Sequence, residues 1–357
     1  MPIPRRFIVW LLASVSCCWA EEKMGPPEIA PVVEKLHILS INRLADILKV
    51  PRETLVKLSV EPELNYDPFE TVGRSRPFQR QPPSKLRPID NPMKELSWVQ
   101  KRIYRRLLKP ICFPEHIFGA IPKRSVRDNA ERHLNSTVLV TLDIRQCFPS
   151  ITNVQVYQVW RKLLDCSTPV ARLLTQLTTF QRRLPQGAAT SPLLANLFIW
   201  MIDEPIRRAC AELDVAYSTW IDDLAFSGER ARELIQLAAS VLGAHGLRLS
   251  RKKIRIMGPR AIKLLTGTRL GAGQVRAPKE KLSRVRSGIH KLRNGLVREQ
   301  DEEKYISGLV AQLRFIHQLC PEDVRPYARD LAAVCRGLPL AESAQRFLAA
   351  SHGHENA

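Results

Sequence analysis

The sequence has no CxxC pair and no cluster of cysteine and histidine at the spacing of zinc ligands. Its eight cysteines are scattered along 357 residues. That argues against a disulfide framework and for a reduced, cytosolic compartment. Acidic residues are also in short supply: 35 Asp and Glu stand against 55 Lys and Arg, a formal charge of +20. Two stretches are nearly without them. Arg74 to Arg127 holds 14 basic and 3 acidic residues, and Gly246 to Gln300 holds 16 and 2. This balance implies a polyanionic partner, nucleic acid before membrane. Its segregation into blocks implies a groove that tracks a phosphate backbone. With 45% hydrophobic residues, the chain has enough apolar side chains for one large core or two smaller ones.

Against this basic background, three aspartates need explaining. The run from Thr137 to Ile144 reads as an apolar, β-branched strand that ends on Asp143. A buried charge without a partner is costly, so this carboxylate needs one. Further on, Asp222 and Asp223 lie between two short strand-like runs, Val215 to Tyr217 and Leu224 to Phe226. They therefore fall at a hairpin tip. An isolated Asp pair is more often a plain polar turn. Joined by Asp143, the pair becomes a candidate cage for divalent cations. Mg²⁺ takes oxygen from one or two carboxylates and from substrate phosphates. Three carboxylates could hold two ions about 3.5–4 Å apart for in-line phosphoryl transfer.

The surrounding motifs have a recognisable order. Phe148 follows Asp143 by five positions. Leu184-Pro185-Gln186-Gly187 leads to Ser191-Pro192 and on to Asn196, and Trp220 precedes the Asp pair by two. The order D-x-x-x-x-F, LPQGxxxSPxLxN and aromatic-x-DD resembles the palm of reverse transcriptases. Asp128 to His133 contains an NAxxH signature, and Leu265-Thr266-Gly267 is similar to a VTG element with Leu for Val. Both resemble the bacterial retron type. The resemblance runs from about Ser84 to about Pro321. Two departures from the pattern are Trp220 for the frequent Tyr, which loses a hydroxyl, and Ala189 for a frequent Pro.

The resemblance implies an α+β right-hand polymerase with fingers, an antiparallel palm sheet backed by helices, and a helical thumb. The expected boundaries are N-terminal helices and linker over 24–83, fingers and palm over 84–270, thumb over 271–340 and a tail over 341–357. Asp143, Asp222 and Asp223 are the expected catalytic residues and ligands of two Mg²⁺ ions. Arg87 and Lys85 are expected to reach the incoming triphosphate; a solvated basic turn is the alternative for Lys85. Phe148 is expected beneath the incoming sugar, where it excludes a 2′-hydroxyl, with plain core packing as the alternative. Gln186 is expected to bond template or sugar, and Lys253, with Lys252 its rival, to lie near the departing pyrophosphate. Asn129 and His133 share one face of a helix. They are expected either to contact RNA or to pack structurally.

The function so implied is RNA-directed DNA synthesis on a cognate structured non-coding RNA that serves as template and primer. The product is a branched RNA–DNA, made in defence against phage. The expected partners are that RNA, the RNA–DNA duplex, dNTPs and a separate effector protein, with no stable membrane association. A group II intron-like or other defence-associated reverse transcriptase is one alternative, and a non-catalytic RNA-binding scaffold another. No ribonuclease H, protease or endonuclease pattern is recognisable. Residues 1–23 complicate the location. Arg5-Arg6, the apolar Phe7 to Ala13, and Cys18-Trp19-Ala20 read as the three regions of a secretory signal. A polymerase draws on cytoplasmic nucleotides, so the expectation is initiation at Met24 and a cytoplasmic protein. A true signal or membrane anchor is the alternative.

Overall fold

A computed structural model describes residues 35–72, 86–271, 273–335 and 342–350. The signal-like segment and Lys85 lie outside the described residues, as does the C-terminal tail beyond 350. Helices α1 (Ile41–Leu48) and α2 (Arg52–Val60) follow the helical spacing of Leu44, Leu48, Leu55 and Leu58, with Pro51 at the start of the second. Strands β1 (Tyr66–Val72) and β2 (Leu86–Pro92) pair antiparallel. Helix α3 (Lys94–Ile103) runs into a π-helical turn over Tyr104–Leu108. Together these form one amphipathic run, with Leu96, Val99, Ile103, Leu107 and Leu108 all buried.

The middle of the chain builds a four-stranded antiparallel sheet. Helix α4 (Val126–Glu131) precedes β3 (Leu139–Asp143). Helices α5 (Cys147–Ser150), α6 (Asn153–Gln158), α7 (Thr168–Thr178), α8 (Ser191–Ile202) and α9 (Glu204–Glu212) follow. Then come β4 (Ala216–Trp220), β5 (Asp223–Ser227), α10 (Leu234–Ala244) and β6 (Arg255–Met257). The strand order is β4-β5-β3-β6. Side chains alternate across a strand. Val140, Leu142, Leu224, Phe226 and Tyr217 therefore point to one face and pack with α7 and α8 in the main core. Leu139 and Ala225 point to the other face and join a second core.

That second core belongs to the last third of the chain. Strands β7 (Lys263–Leu265), β8 (Thr268–Gly271) and β9 (Gln274–Arg276) form a small antiparallel sheet. Helices α11 (Lys279–Arg293), α12 (Glu299–Leu319), α13 (Arg325–Val334) and α14 (Glu342–Ala350) complete the described chain. The mixture of helix with antiparallel sheet is the α+β class expected. Among the described residues, no helix is long and apolar enough to cross a membrane. The described cysteines are all free thiols, and all but Cys112 are buried.

In the sequence, Leu193 to Ile206 reads as one long apolar helix, with Ser191 as its N-cap and Pro192 at its first position; the structure corrects the helix and the cap. The apolar run from Leu193 to Ile206 is not one helix, because it breaks at Asp203 between α8 and α9. Pro205 cannot donate to the preceding turn, and it disfavours helical geometry before it. The broken position is used: the Asp203 carboxylate is buried and receives His116 Nε2 at 2.9 Å, Arg207 Nε at 2.9 Å and the Tyr217 hydroxyl at 3.3 Å. Ser191 is not the N-cap of α8 either. It is the first helical residue, and its hydroxyl donates to the Pro185 carbonyl at 2.7 Å.

Candidate active site

Strand register sets Asp143 beside the Asp222–Asp223 hairpin. Asp143, the last residue of β3, lies directly opposite Asp223, the first of β5. The Ile144 amide donates to the Asp222 carbonyl at 2.8 Å, which fixes the neighbouring residue as well. Like charges directly opposite on a sheet destabilise it. The strain is visible in Asp223, whose pKa is raised from 3.8 to about 6 by burial first and then by the Asp222 and Asp143 charges. The Cys147 thiol is buried beside the same carboxylates. Burial, followed by those two charges, pushes its pKa well up, so it is inert as a nucleophile.

Lys253 answers part of this negative charge. Its ammonium donates to Asp143 Oδ2 at 2.5 Å, and that hydrogen bond raises its pKa. The backbone brings it there: the Ser250 amide donates to the Asp143 carbonyl, and the Arg145 amide donates to that of Arg248, each at 2.8 Å. Between Lys252 and Lys253, the structure shows Lys253 paired with Asp143. Carboxylate oxygens are the hard donors that Mg²⁺ takes, and a divalent cation would relieve the charge that lifts Asp223. The donor set fits such an ion in kind. Among the described residues, however, no three or more His, Cys, Asp or Glu side chains converge as a metal cage.

The turn that carries Asp222 is held from behind, which the sequence did not reveal. It is a two-residue turn in which Ile221 has φ +58. That conformation is a strain for a β-branched side chain. Gly119 sits against it so closely that a Cβ there would meet Ile221 Cγ1 and Ile221 N at 2.6 Å each. Residues 116–118 run beside β4, with Thr219 N donating to the His116 carbonyl at 2.7 Å and Phe118 N donating to the Thr219 carbonyl at 2.9 Å. Asn196 of α8 donates to the Gly119 carbonyl at 2.6 Å. The last residue of the LPQGxxxSPxLxN motif is thus a prop for the aspartate hairpin.

Gln186 and Gly187 are tied to β2. The Asp90 amide donates to the Gln186 carbonyl at 2.8 Å, and the Gln186 amide donates to Asp90 Oδ2 at 3.0 Å. Asp90 is buried and also pairs with Arg183 at 3.5 Å. Gly187 has φ +129, and a Cβ there would meet Ile89 Cγ2 at 3.0 Å. Glycine is needed for close approach to β2. Arg87 lies on β2 opposite Thr71, but its side chain is outside what the structure describes. Phe148 is half-buried on α5 and packs against the main core, next to the carboxylate strand.

Asn129 and His133 are where the structure corrects the RNA-contact expectation. Both side chains are buried, His133 completely. The His133 ring lies between two hydroxyls, Nδ1 at 2.7 Å from Ser227 Oγ and Nε2 at 2.7 Å from Ser218 Oγ. Burial, with Arg132 adding, depresses its pKa to about 3, so the ring stays neutral. Asn129 Nδ2 donates to Thr266 Oγ1 at 3.3 Å. These residues take the packing alternative, because a ring enclosed by its own sheet has no surface to offer RNA.

Comparison with known proteins now decides the family. Residues 78–269 match the reverse transcriptase (RNA-dependent DNA polymerase) family. The chain belongs to the reverse transcriptases. It is 28% identical over 264 residues to the retron Ec86 reverse transcriptase of Escherichia coli, covering 72% of this chain and 80% of that protein. It is 27% identical over 269 residues to the retron Mx65 reverse transcriptase of Myxococcus xanthus, covering 68% and 61%. With the retron Se72 reverse transcriptase of Salmonella heidelberg it shares 25% over 226 residues, covering 61% and 58%. The chain thus spans about three-fifths of the length of the last two. The retron-type resemblance carried by the motifs extends to similarity over 61–72% of the chain. In this reverse transcriptase, the matched region contains the paired aspartates and their props, and Lys253 as well.

Proposed function

We propose that this chain is an RNA-directed DNA polymerase of the retron type. The observation that carries the reading is the in-register pairing of Asp143 with Asp223, beside Asp222, in a chain of this family. Asp143, Asp222 and Asp223 would hold two Mg²⁺ ions, which when bound supply the charge that activates a primer hydroxyl and stabilises the leaving pyrophosphate. The chain's own groups do the rest. Lys253 keeps its proton, because its pKa is raised, and presents an ammonium where leaving-group charge develops. Arg87 and Lys85 bind the triphosphate, for which an arginine fork suits phosphate oxygens. The ring of Phe148 excludes a 2′-hydroxyl, and Gln186 orients template or sugar. In this reading β2 and α3 belong to the fingers, the four-stranded sheet is the palm, and α11 to α13 form the thumb.

The template and primer are a cognate structured RNA, and the product is a branched RNA–DNA that acts with a separate effector against phage. The similarity to retron reverse transcriptases and the two basic blocks support this part. The test is dNTP incorporation by the purified chain on a primed RNA template and on RNA transcribed from its own locus. Asp222→Asn keeps the size of the side chain and loses its charge. Incorporation is expected to fall to background while RNA affinity stays within about twofold, because phosphate contacts made elsewhere dominate binding. Near wild-type incorporation by the folded variant would remove Asp222 from the catalytic set.

A further inference from the structure

The NAxxH signature lies on α4 and the segment just after it, and each of its three specified residues touches a different part of the protein. His133 reaches Ser218 on β4 and Ser227 on β5. Both serines lie on the sheet face that also bears Asp223 and Asp143; Ser227 is four residues along β5 from Asp223, about 13 Å, and Ser218, opposite Ala225, is two residues along, about 7 Å. Arg132 adds a bond from Nε to the Tyr217 carbonyl at 2.8 Å. Ala130 is completely buried in the second core, with Leu139 and Ala225 of the main sheet and Leu270 and Val275 of the small one. Asn129 donates to Thr266, in the turn between β7 and β8. That turn has φ +43 at Thr266 and +80 at Gly267, a tight and well-defined hairpin connection. The contacts continue beyond it. Lys281 Nζ of α11 lies 3.3 Å from where a Cβ on Gly267 would be, and it sits 3.8 Å from the centre of the Phe315 ring on α12.

We infer that α4 is a strut between the catalytic sheet and the C-terminal helices. It fixes the Thr266–Gly267 turn, and with it the basic α11, at a set distance from the catalytic carboxylates. Asn129 and His133 are then positioning residues for repeated addition rather than for the first bond. The inference rests on the polymerase reading above. The bonds of Asn129, Arg132 and His133 go to Thr266, Tyr217, Ser218 and Ser227 rather than to the carboxylates, so a first nucleotide can be added with the strut weakened. Each later addition requires the duplex to be seated again at one spacing, and a loosened turn lets it leave instead.

Asn129→Ala removes the donor, and Thr266→Val removes the acceptor with little change of shape. Thr266→Ser keeps the hydroxyl. Product length per binding event is measured with a polyanion trap, beside the single-turnover rate of the first addition and the melting temperature. Asn129→Ala and Thr266→Val are each expected to shorten products about three- to tenfold, the scale of one hydrogen bond, with the first addition within about twofold. The double variant should match either single one, since both remove the same bond. Thr266→Ser should behave as wild type. Additive losses, unchanged product length, or equal loss of the first addition in folded variants would overturn the strut. Failure of the wild-type chain to incorporate any dNTP would instead defeat the polymerase reading. If Asn129→Ala fails to fold, Thr266→Val and Thr266→Ser carry the test alone.

Discussion

Gly119→Ala tests whether the aspartate hairpin is aimed by what lies behind it. The new Cβ would sit 2.6 Å from Ile221 Cγ1, 2.6 Å from Ile221 N and 2.9 Å from Trp220 C. Ordinary contact begins at 3.4 Å. The side chain of Ile221 can rotate away, but its backbone nitrogen cannot, so one piece of main chain must retreat by about 0.8 Å. Gly119 is held by Asn196, and the neighbouring Thr219 by residues 116 and 118. The displacement therefore falls on residues 220–222, beside the metal-binding position proposed for Asp222. Overpacking of this kind costs about 1–3 kcal/mol of stability. A misplacement approaching 1 Å at a reacting centre costs about a hundredfold in rate. Urea denaturation reads the first and single-nucleotide incorporation the second. Gly308→Ala on α12, with nothing within 4 Å of its added Cβ, is the control and should leave activity unchanged. A folded Gly119→Ala protein with incorporation within about threefold of wild type would refute a rigid hairpin.

Phe148→Ala should raise incorporation of rGTP relative to dGTP, because the ring is proposed to fill the space that a 2′-hydroxyl needs; an unchanged ratio assigns Phe148 to the core. Asp90→Ala strips the Gln186 amide of its buried acceptor and should raise the dNTP KM several-fold more than it lowers kcat, on the order of one lost hydrogen bond; a pure kcat effect would disconnect this loop from the nucleotide. Stability should fall as pH drops from about 6.5 towards 3, because the unfolded chain protonates His133 while the folded ring, with pKa about 3, does not. The slope from this group is about 1.4 kcal/mol per pH unit. Asp223 opposes it between 3.8 and about 6, where the folded carboxyl holds the extra proton. Urea melts of wild type and His133→Gln at about pH 7 and about pH 5 should show a weaker acid loss in the variant, and identical profiles would mean that the ring is not the sensitive group.

The carboxylate centre was legible because its signal is local. An acid closing an apolar strand and an acid pair between two strand-like runs both contradict burial unless chemistry explains them, and the register then set Asp143 opposite Asp223. What could not be read depends on contacts between distant segments. Nothing near Gly119 in sequence says that it backs the turn at Ile221. Nothing near Asp90 says that its carboxylate caps the loop at Gln186. His133 is the sharper case. Its four-residue spacing from Asn129 would put both on one side of a helix, but α4 ends at Glu131 and His133 lies in the turn beyond it; in sequence, a polar pair at that spacing looks the same whether it faces RNA or two serines of a neighbouring sheet. The break at Asp203 had a visible signal in Pro205, and it was outweighed by the apolar run around it.

The left-handed Ile221 sets a limit on how this protein can be made hardier. Asn or Gly would occupy φ +58 with less strain, and a search for thermostable variants would be drawn to that position. The same stiffness narrows the directions in which the next residue, Asp222, can point. A more forgiving residue would widen that range at the position where the proposed chemistry needs it narrow. Selection for heat resistance and selection for catalytic rate should therefore part company at this turn.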